Sequence, residues 1–245
     1  MKKLIIFDLD NTFYDYEKSH NHALLAVFNY QRYFLKFDDF LSEYEIHKKA
    51  VHERLKNNPS KHSKLLYFKD LFYEKLNMEE VVVLENTYWN EFINSTIINK
   101  NIVRLLSEKK EKGDIFCLLT NQNTNIQLKK INSWGLNFFS LILTSEEVGF
   151  EKPSQGFFEY ADNLISNKFI NLKIDFYAVG DDYANDIKFW RDKYNAKSYL
   201  IDNKKKNIEL RKDYITDSTF KSFSIGKDIF HSPIEKAIKD IYKDG

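Results

Sequence analysis

Two textures of apolar and polar positions alternate along this chain. Short apolar runs at residues 4–7, 115–119, 141–143, 176–179 and 198–201 each give way to polar or acidic residues. Runs of that length, cut off in that way, predict strands buried on both faces of a parallel sheet. Between the later runs, residues 100–112, 124–135, 155–166 and 184–194 carry a helical pattern. Strands alternating with helices of this length imply right-handed βαβ units. The expected fold is therefore α/β, a doubly wound and mainly parallel sheet of the Rossmann-like kind.

The alternation fails once. Residues 19–96 hold no comparable strand run and instead repeat apolar side chains at helical spacing, as in Leu65, Phe68, Leu71, Phe72 and Leu76. A turn at residues 57–60, with Pro59 inside it, divides two such helices. Residues 16–96 thus predict an all-helical cap domain seated beside a core made of residues 1–15 and 97–245. The last predicted helix, 233–243, opens with Ser232 as cap, Pro233 in first position and Glu235 where a capping box requires it.

Composition narrows the class. Lys and Arg number 37 against 36 Asp and Glu, a balance that argues against a nucleic-acid partner, since such domains are usually strongly basic. The short run Lys204-Lys205-Lys206 reads as a solvated turn. No apolar stretch approaches the roughly 20 residues of a membrane span, and Asp8 and Asp10 interrupt the first run well before a signal core could form. A membrane partner is not expected, and the reading is cytoplasmic. Cys117 is the one cysteine, so no internal disulfide can form, and it fits a small buried hydrophobe.

In a doubly wound sheet, ligands bind beyond the carboxyl ends of the strands. The first strand runs out into Asp8 and Asp10, followed by Thr12. Two carboxylates there repel unless a cation neutralises them or one is protonated, although a loop with a helix cap explains two aspartates equally well. The fourth run ends in Gly180, Asp181, Asp182 and Asp186. Gly180 permits a sharp turn or a close approach, and either Asp181 or Asp182 could cap a helix. Five acids at two strand ends exceed what capping needs, and they form a hard oxygen site suited to magnesium. Thr120 and Asn121, ending the second run before a helix, suit a phosphate cradle. Lys152 adds a basic residue just before Pro153.

As an ordered set, DLDNT, TN, EKP and GDDYAND, each placed after a predicted strand, resemble the four signature motifs of the haloacid dehalogenase (HAD) superfamily. The resemblance covers 1–15 and about 97–202 and implies a helical cap where the strand pattern fails. Residues 144–153 are similar to the capped branch containing nucleotidases, acylneuraminate-9-phosphate phosphatases and phosphoglycolate phosphatases. The resemblance implies a magnesium-dependent phosphomonoesterase acting on a small phosphorylated metabolite, such as a nucleotide, a sugar phosphate or a phosphorylated nonulosonate. It implies that Asp8 is phosphorylated and that Asp10 protonates the leaving oxygen and then activates water. Thr120 and the Asn121 backbone would hold phosphoryl oxygens, with Lys152 offsetting their charge. Asp8, the Asp10 carbonyl and Asp181 would bind Mg2+. Asp182 is the alternative metal ligand, and Asp186 would support Lys152 or the metal from behind.

Four other readings stand beside this one. A dehalogenase lacks the second acid, because a halide leaving group needs no proton, so Asp10 argues against that chemistry. A phosphomutase shares the same residues, as does a noncatalytic family member that binds a phosphate ligand. A dinucleotide binder would need a Gly-rich turn where Asp8 to Thr12 stand. Specificity is expected from cap side chains, with Tyr14, Tyr16, His20, His22, Arg54, Lys64, Tyr67 and Trp89 as the aromatic and basic candidates. Taken singly, each is explained as readily by cap core or solvated face.

Overall fold

The computed structural model describes residues 2–170, 172–202, 218–221 and 233–243. Its strands are β1 (Lys2–Phe7), β2 (Ile115–Thr120), β3 (Leu141–Thr144), β4 (Ile174–Gly180), β5 (Lys197–Asp202) and β6 (Ser218–Lys221). They form one sheet in the order β3-β2-β1-β4-β5-β6, with every neighbouring pair parallel. The expected doubly wound sheet is present, with one strand more than the apolar runs predict. The segment forming β6 has a single apolar residue, Phe220, too little for hydrophobic pattern to reveal.

Both faces of the sheet are covered, as the unbroken apolar runs require. Ile5 and Phe7 of β1 turn to one face and Leu4 and Ile6 to the other, the period of two expected of a strand. The first face packs against α5 (Lys100–Glu111), α6 (Thr124–Trp134) and α10 (Pro233–Ile241). The second packs against α8 (Gln155–Phe169) and α9 (Lys188–Tyr194). Cys117 lies in that second layer, where burial pushes its thiol pKa up to about 12. A short helix, α7 (Ser145–Val148), follows β3. Its capping box pairs Thr144 with Glu147, and Gly149 closes it at φ +76°.

Between β1 and α5 the chain forms α1 (Tyr16–Tyr30), α2 (Phe37–Arg54), α3 (Lys64–Leu71) and α4 (Met78–Ser95). Local signals set their bounds. Asp15 caps α1 by accepting from Lys18 N, and Asn77 with Glu80 forms a capping box on α4. Between α2 and α3, Asn58 caps a 3₁₀ turn, Pro59–His62, whose proline is buried. Phe40, Tyr44, Phe68, Tyr88 and Phe92 from these helices share one continuous cluster with the first face of the sheet. Trp134 Nε1 on α6 donates to Ile93 O at 3.1 Å, tying α4 to the core.

The topology places the crevice. From β1 the chain moves outward through β2 and β3, then returns to lay β4 on the other side of β1. That reversal opens a gap at the carboxyl ends of β1 and β4. The helix expected over 184–194 begins instead as a π-helical turn, Tyr183–Ile187, before continuing as α9. The capping signature at Ser232 and the lysines 204–206 lie outside the described residues. Among those described, no helix is long and apolar enough to cross a membrane.

Candidate active site

Asp8 continues β1 by one residue, its N–H donating to Val179 O of β4 at 3.0 Å. That bond fixes its backbone against β4, and its side chain emerges at the switch point. Lys152 meets it there. The buried Nζ donates to Asp8 Oδ1 at 2.9 Å, Asp186 Oδ1 at 2.7 Å and Leu119 O at 2.7 Å, which uses all three of its protons. Lys152 is held in turn by Asn121, whose Nδ2 donates to Lys152 O and whose Oδ1 accepts from Lys152 N, both at 2.8 Å. The Asn121 side chain is thus a clasp joining the second strand end to the Lys152 loop. Thr120 is buried beside it and accepts from Gln127 Nε2 at 2.7 Å, leaving its own proton to donate.

The acids at the end of β4 divide by role. Asp182 is exposed and accepts from Asn185 N at 2.9 Å, capping the π-helical turn. Asp186 is buried, and its Oδ2 accepts from Asp182 N at 3.0 Å. A Cβ on Gly180 would stand 2.3 Å from Asp186 Cβ, so the glycine makes room for this carboxylate. Carboxylate oxygens of Asp8, Asp181 and Asp186 lie within 4.8 Å of one another. Burial pushes Asp8 above the ordinary carboxylate range; Lys152 opposes this, and Asp186, Asp181 and Asp10 add to it. For Lys152 burial acts downward, but Asp186 and Asp8 outweigh it and hold its pKa above the usual lysine value. Three acids facing one ammonium leave a surplus of negative charge on hard oxygen donors. A small divalent cation such as magnesium fits that donor set.

Asp10 faces elsewhere. Asn11 takes the left-handed conformation, φ 61°, that asparagine tolerates, and the chain turns so that Asp10 leaves the acid cluster. Asp10 Oδ1 accepts from Lys130 Nζ at 2.8 Å and from the Tyr14 hydroxyl. Lys130 is fully buried, and its ammonium lies within 5.0–5.8 Å of the ring centroids of Phe92, Trp89, Tyr14 and Tyr16. Burial pushes Lys130 below the ordinary lysine range, with Asp10 and Asp8 opposing it. Burial and then Asp10 push the Tyr14 hydroxyl up, so it remains a donor.

The motifs of the sequence do not include Lys130 or Gln127. A signal for both exists, because Ile126, Gln127, Lys130, Ile131 and Trp134 share the buried face of α6, and two polar residues on an apolar stripe ask for partners. Of the aromatic and basic candidates, Tyr14, Tyr16, His20, Lys64, Tyr67 and Trp89 join one run of ring and ammonium contacts through Tyr88 and Phe92. His22 and Arg54 stand on exposed faces, Arg54 pairing with Asp70 at 3.3 Å. The insertion also reaches the Lys152 loop directly. Lys61 Nζ and His62 Nε2 both bond to the Glu151 carboxylate, the latter at 2.7 Å.

The sequence profile of the haloacid dehalogenase-like hydrolases matches residues 2–192. Over 194 residues, 76% of this chain and 80% of the relative, the chain is 28% identical to the ribulose-1,5-bisphosphate 5-phosphatase of Halopiger xanaduensis. It superposes on the HAD-hydrolase YfnB of Bacillus subtilis, a structure bound to magnesium that reveals interdomain movement. That match has a TM-score of 0.56 at 22% identity and covers 84% of this chain and 92% of the other. A 2-haloacid dehalogenase from Pseudomonas syringae pv. tomato matches over 100% of both chains, with a TM-score of 0.65 at 17% identity. At such identities the two structures speak to fold and not to reaction.

Proposed function

The chain belongs to the haloacid dehalogenase-like hydrolases, and on that footing we propose that it is a magnesium-dependent phosphomonoesterase working through an aspartyl-phosphate on Asp8. The observation that carries this is the separation of Asp8 and Asp10 into two partner sets. Asp8 is gripped by Lys152 among acids, as a nucleophile needs, while Asp10 is served by Lys130 and Tyr14, as a proton carrier needs. In the first displacement Asp8 attacks phosphorus, an Asp8–O–P bond forms, the bond to the organic oxygen breaks, and that oxygen takes its proton from Asp10. In the second, water attacks the phosphorus and gives its proton to Asp10, releasing phosphate and restoring Asp8. Thr120 Oγ1 and the backbone at Asn121 hold phosphoryl oxygens, and Lys152 offsets their charge. When bound by Asp8, Asp181 and the Asp10 carbonyl, magnesium supplies positive charge against the transferring group.

A halide leaving group takes no proton, so the Lys130–Asp10–Tyr14 arrangement supports a phosphate ester over a haloacid. The substrate we infer is a small organic phosphate, and the 28% identical ribulose-bisphosphate phosphatase supports a sugar phosphate. Residues 16–96 act as a lid over the organic part, a reading supported by the Glu151 contacts and by the interdomain movement of the Bacillus relative. The test is phosphate release from acetyl phosphate and a panel of sugar phosphates. Release should require magnesium and stop with chelator. Full activity after verified metal removal, or return of the phosphoryl group to the substrate in place of release, would overturn the reading.

A further inference from the structure

The helical insertion buries a lysine that is bonded by no carboxylate among the described residues. Lys64 opens α3 and is 5% exposed. Its ammonium lies 4.7 Å from the ring centroid of Tyr67 and 5.5 Å from that of Tyr88, and among the described residues no carboxylate pairs with it. Glu45 on α2 is engaged by Lys48 at 2.9 Å. Tyr44, which packs on the same Tyr67 ring, is fully buried, and its hydroxyl has no hydrogen-bond partner among the described residues. Tyr44 packs on Tyr67 with ring centroids 5.9 Å apart and on His20 at 5.8 Å.

The groups facing Lys64 from the neighbouring elements do not neutralise it. His20 on α1 is held neutral, its pKa lowered to about 2 by burial and then by Lys64 and Lys48, and it bonds to the Tyr88 hydroxyl. Burial, then Lys48 and Lys130, pull the Lys64 pKa down to about 7 against the opposing pull of Asp10 and Glu45. Tyr88 stacks on Phe92 with ring centroids 5.9 Å apart, and Phe92 lies 5.0 Å from the Lys130 ammonium that bonds Asp10, so contacts run from Lys64 to the leaving-group side of the crevice. A buried donor without a bonded carboxylate and a buried hydroxyl without a partner, both against the Tyr67 ring, are costly unless a ligand completes them.

We propose that Lys64 and Tyr44 form a receptor for a second anionic group, a phosphate or carboxylate at the far end of the substrate whose ester is cleaved at Asp8. The proposal rests on the phosphatase reading and narrows it: the substrate carries an anion at both ends. Tyr67 and Tyr88 set the ammonium in place with their ring faces. The second anion accepts from Lys64 and from the Tyr44 hydroxyl. Because an anion favours the charged lysine, binding above pH 7 takes up a proton.

The test uses the full chain with magnesium and acetyl phosphate as substrate. Inhibitors are alkyl monophosphonates, α,ω-bisphosphonates and ω-phosphonocarboxylates of increasing chain length. At one length a doubly anionic inhibitor should exceed the matched monophosphonate by more than about tenfold. Lys64→Gln should erase that advantage and Lys64→Arg should keep most of it. Calorimetry of the unaltered protein above pH 7, in buffers of different protonation enthalpy, should show proton uptake with the doubly anionic inhibitor only. Whether the bisphosphonate or the phosphonocarboxylate wins identifies the second group. An advantage absent at every length, or undiminished in Lys64→Gln, would overturn the receptor. If Lys64→Gln does not fold, the length series and the proton uptake decide alone. Acetyl phosphate turnover that survives Asp8→Asn would instead overturn the phosphatase reading, whatever the inhibitors do.

Discussion

Asp8 and Asp10 stand two residues apart, and their surroundings differ in kind. The Asp8 region is a cluster of fixed charges: Lys152 lies between Asp8 and Asp186, with Asp181 adjacent. The Asp10 region is aromatic, with one buried ammonium at 2.8 Å and four rings around that ammonium. The two lysines report the difference. Asp186 and Asp8, both bonded to Lys152, overcome its burial and hold its pKa up. Among carboxylates of the described residues Lys130 is bonded to Asp10 alone, and Asp10 with the added pull of Asp8 does not overcome its burial, so its pKa falls. A region of permanent charge suits an anionic nucleophile and a cation. A region with weaker electrostatic balance suits an acid that must gain and lose a proton within one turnover.

The strongest way to break this comparison is at Asp8. Asp8→Asn should lower kcat by more than about 10⁴-fold, because a neutral amide is a poor nucleophile. Comparable kcat in mutant and wild type, by phosphate release, would remove the basis for two separate roles. Asp10→Asn should cost about 10²–10⁴-fold on alkyl phosphates and less on nitrophenyl phosphate, whose leaving oxygen needs little help. Equal losses on both would mean that Asp10 is not the leaving-group acid.

Lys130→Met sharpens the contrast further. It leaves Asp10 without its cation, and breaking a buried pair destabilises by about 3–5 kcal/mol. The same change should lower kcat for alkyl phosphates by about tenfold more than for nitrophenyl phosphate. A fall in unfolding temperature with an unaltered substrate ratio would assign Lys130 to packing alone.

The smallest effect belongs to the link between the regions. Burial acts to raise the Glu151 pKa, but His62 and Lys61 outweigh it and hold it below 4.5. A depressed carboxylate pKa contributes stability above the unfolded value of 4.5 and loses it as the pH falls through the lower folded value. Glu151→Gln should therefore loosen the insertion by about 1 kcal/mol at neutral pH, a severalfold rise in KM, and have no effect in acid. A KM difference that persisted at low pH would separate Glu151 from this ion pair.

The sequence by itself determined five of the six described strands, the order of its motifs and the helical stretch that interrupts the strand pattern. Those features are written locally: an apolar run between polar ends, a period of 3.6 against a period of two, a cap residue before a helix. It also placed Asp8, Thr120, Asn121, Lys152 and the acids after Gly180 at strand ends, where a doubly wound sheet gathers its ligands. The tertiary structure alone decided between neighbours of the same type. Asp182 caps a turn while Asp181 joins the cluster, because the π-helical turn draws Asp186 under Gly180 and leaves Asp182 facing outward. It alone paired Lys130 with Asp10 across 120 positions and Glu151 with Lys61 across 90. Such pairs have no local signature, since an ion pair depends on a distance of a few ångströms. That distance exists only after the helices have packed against the sheet.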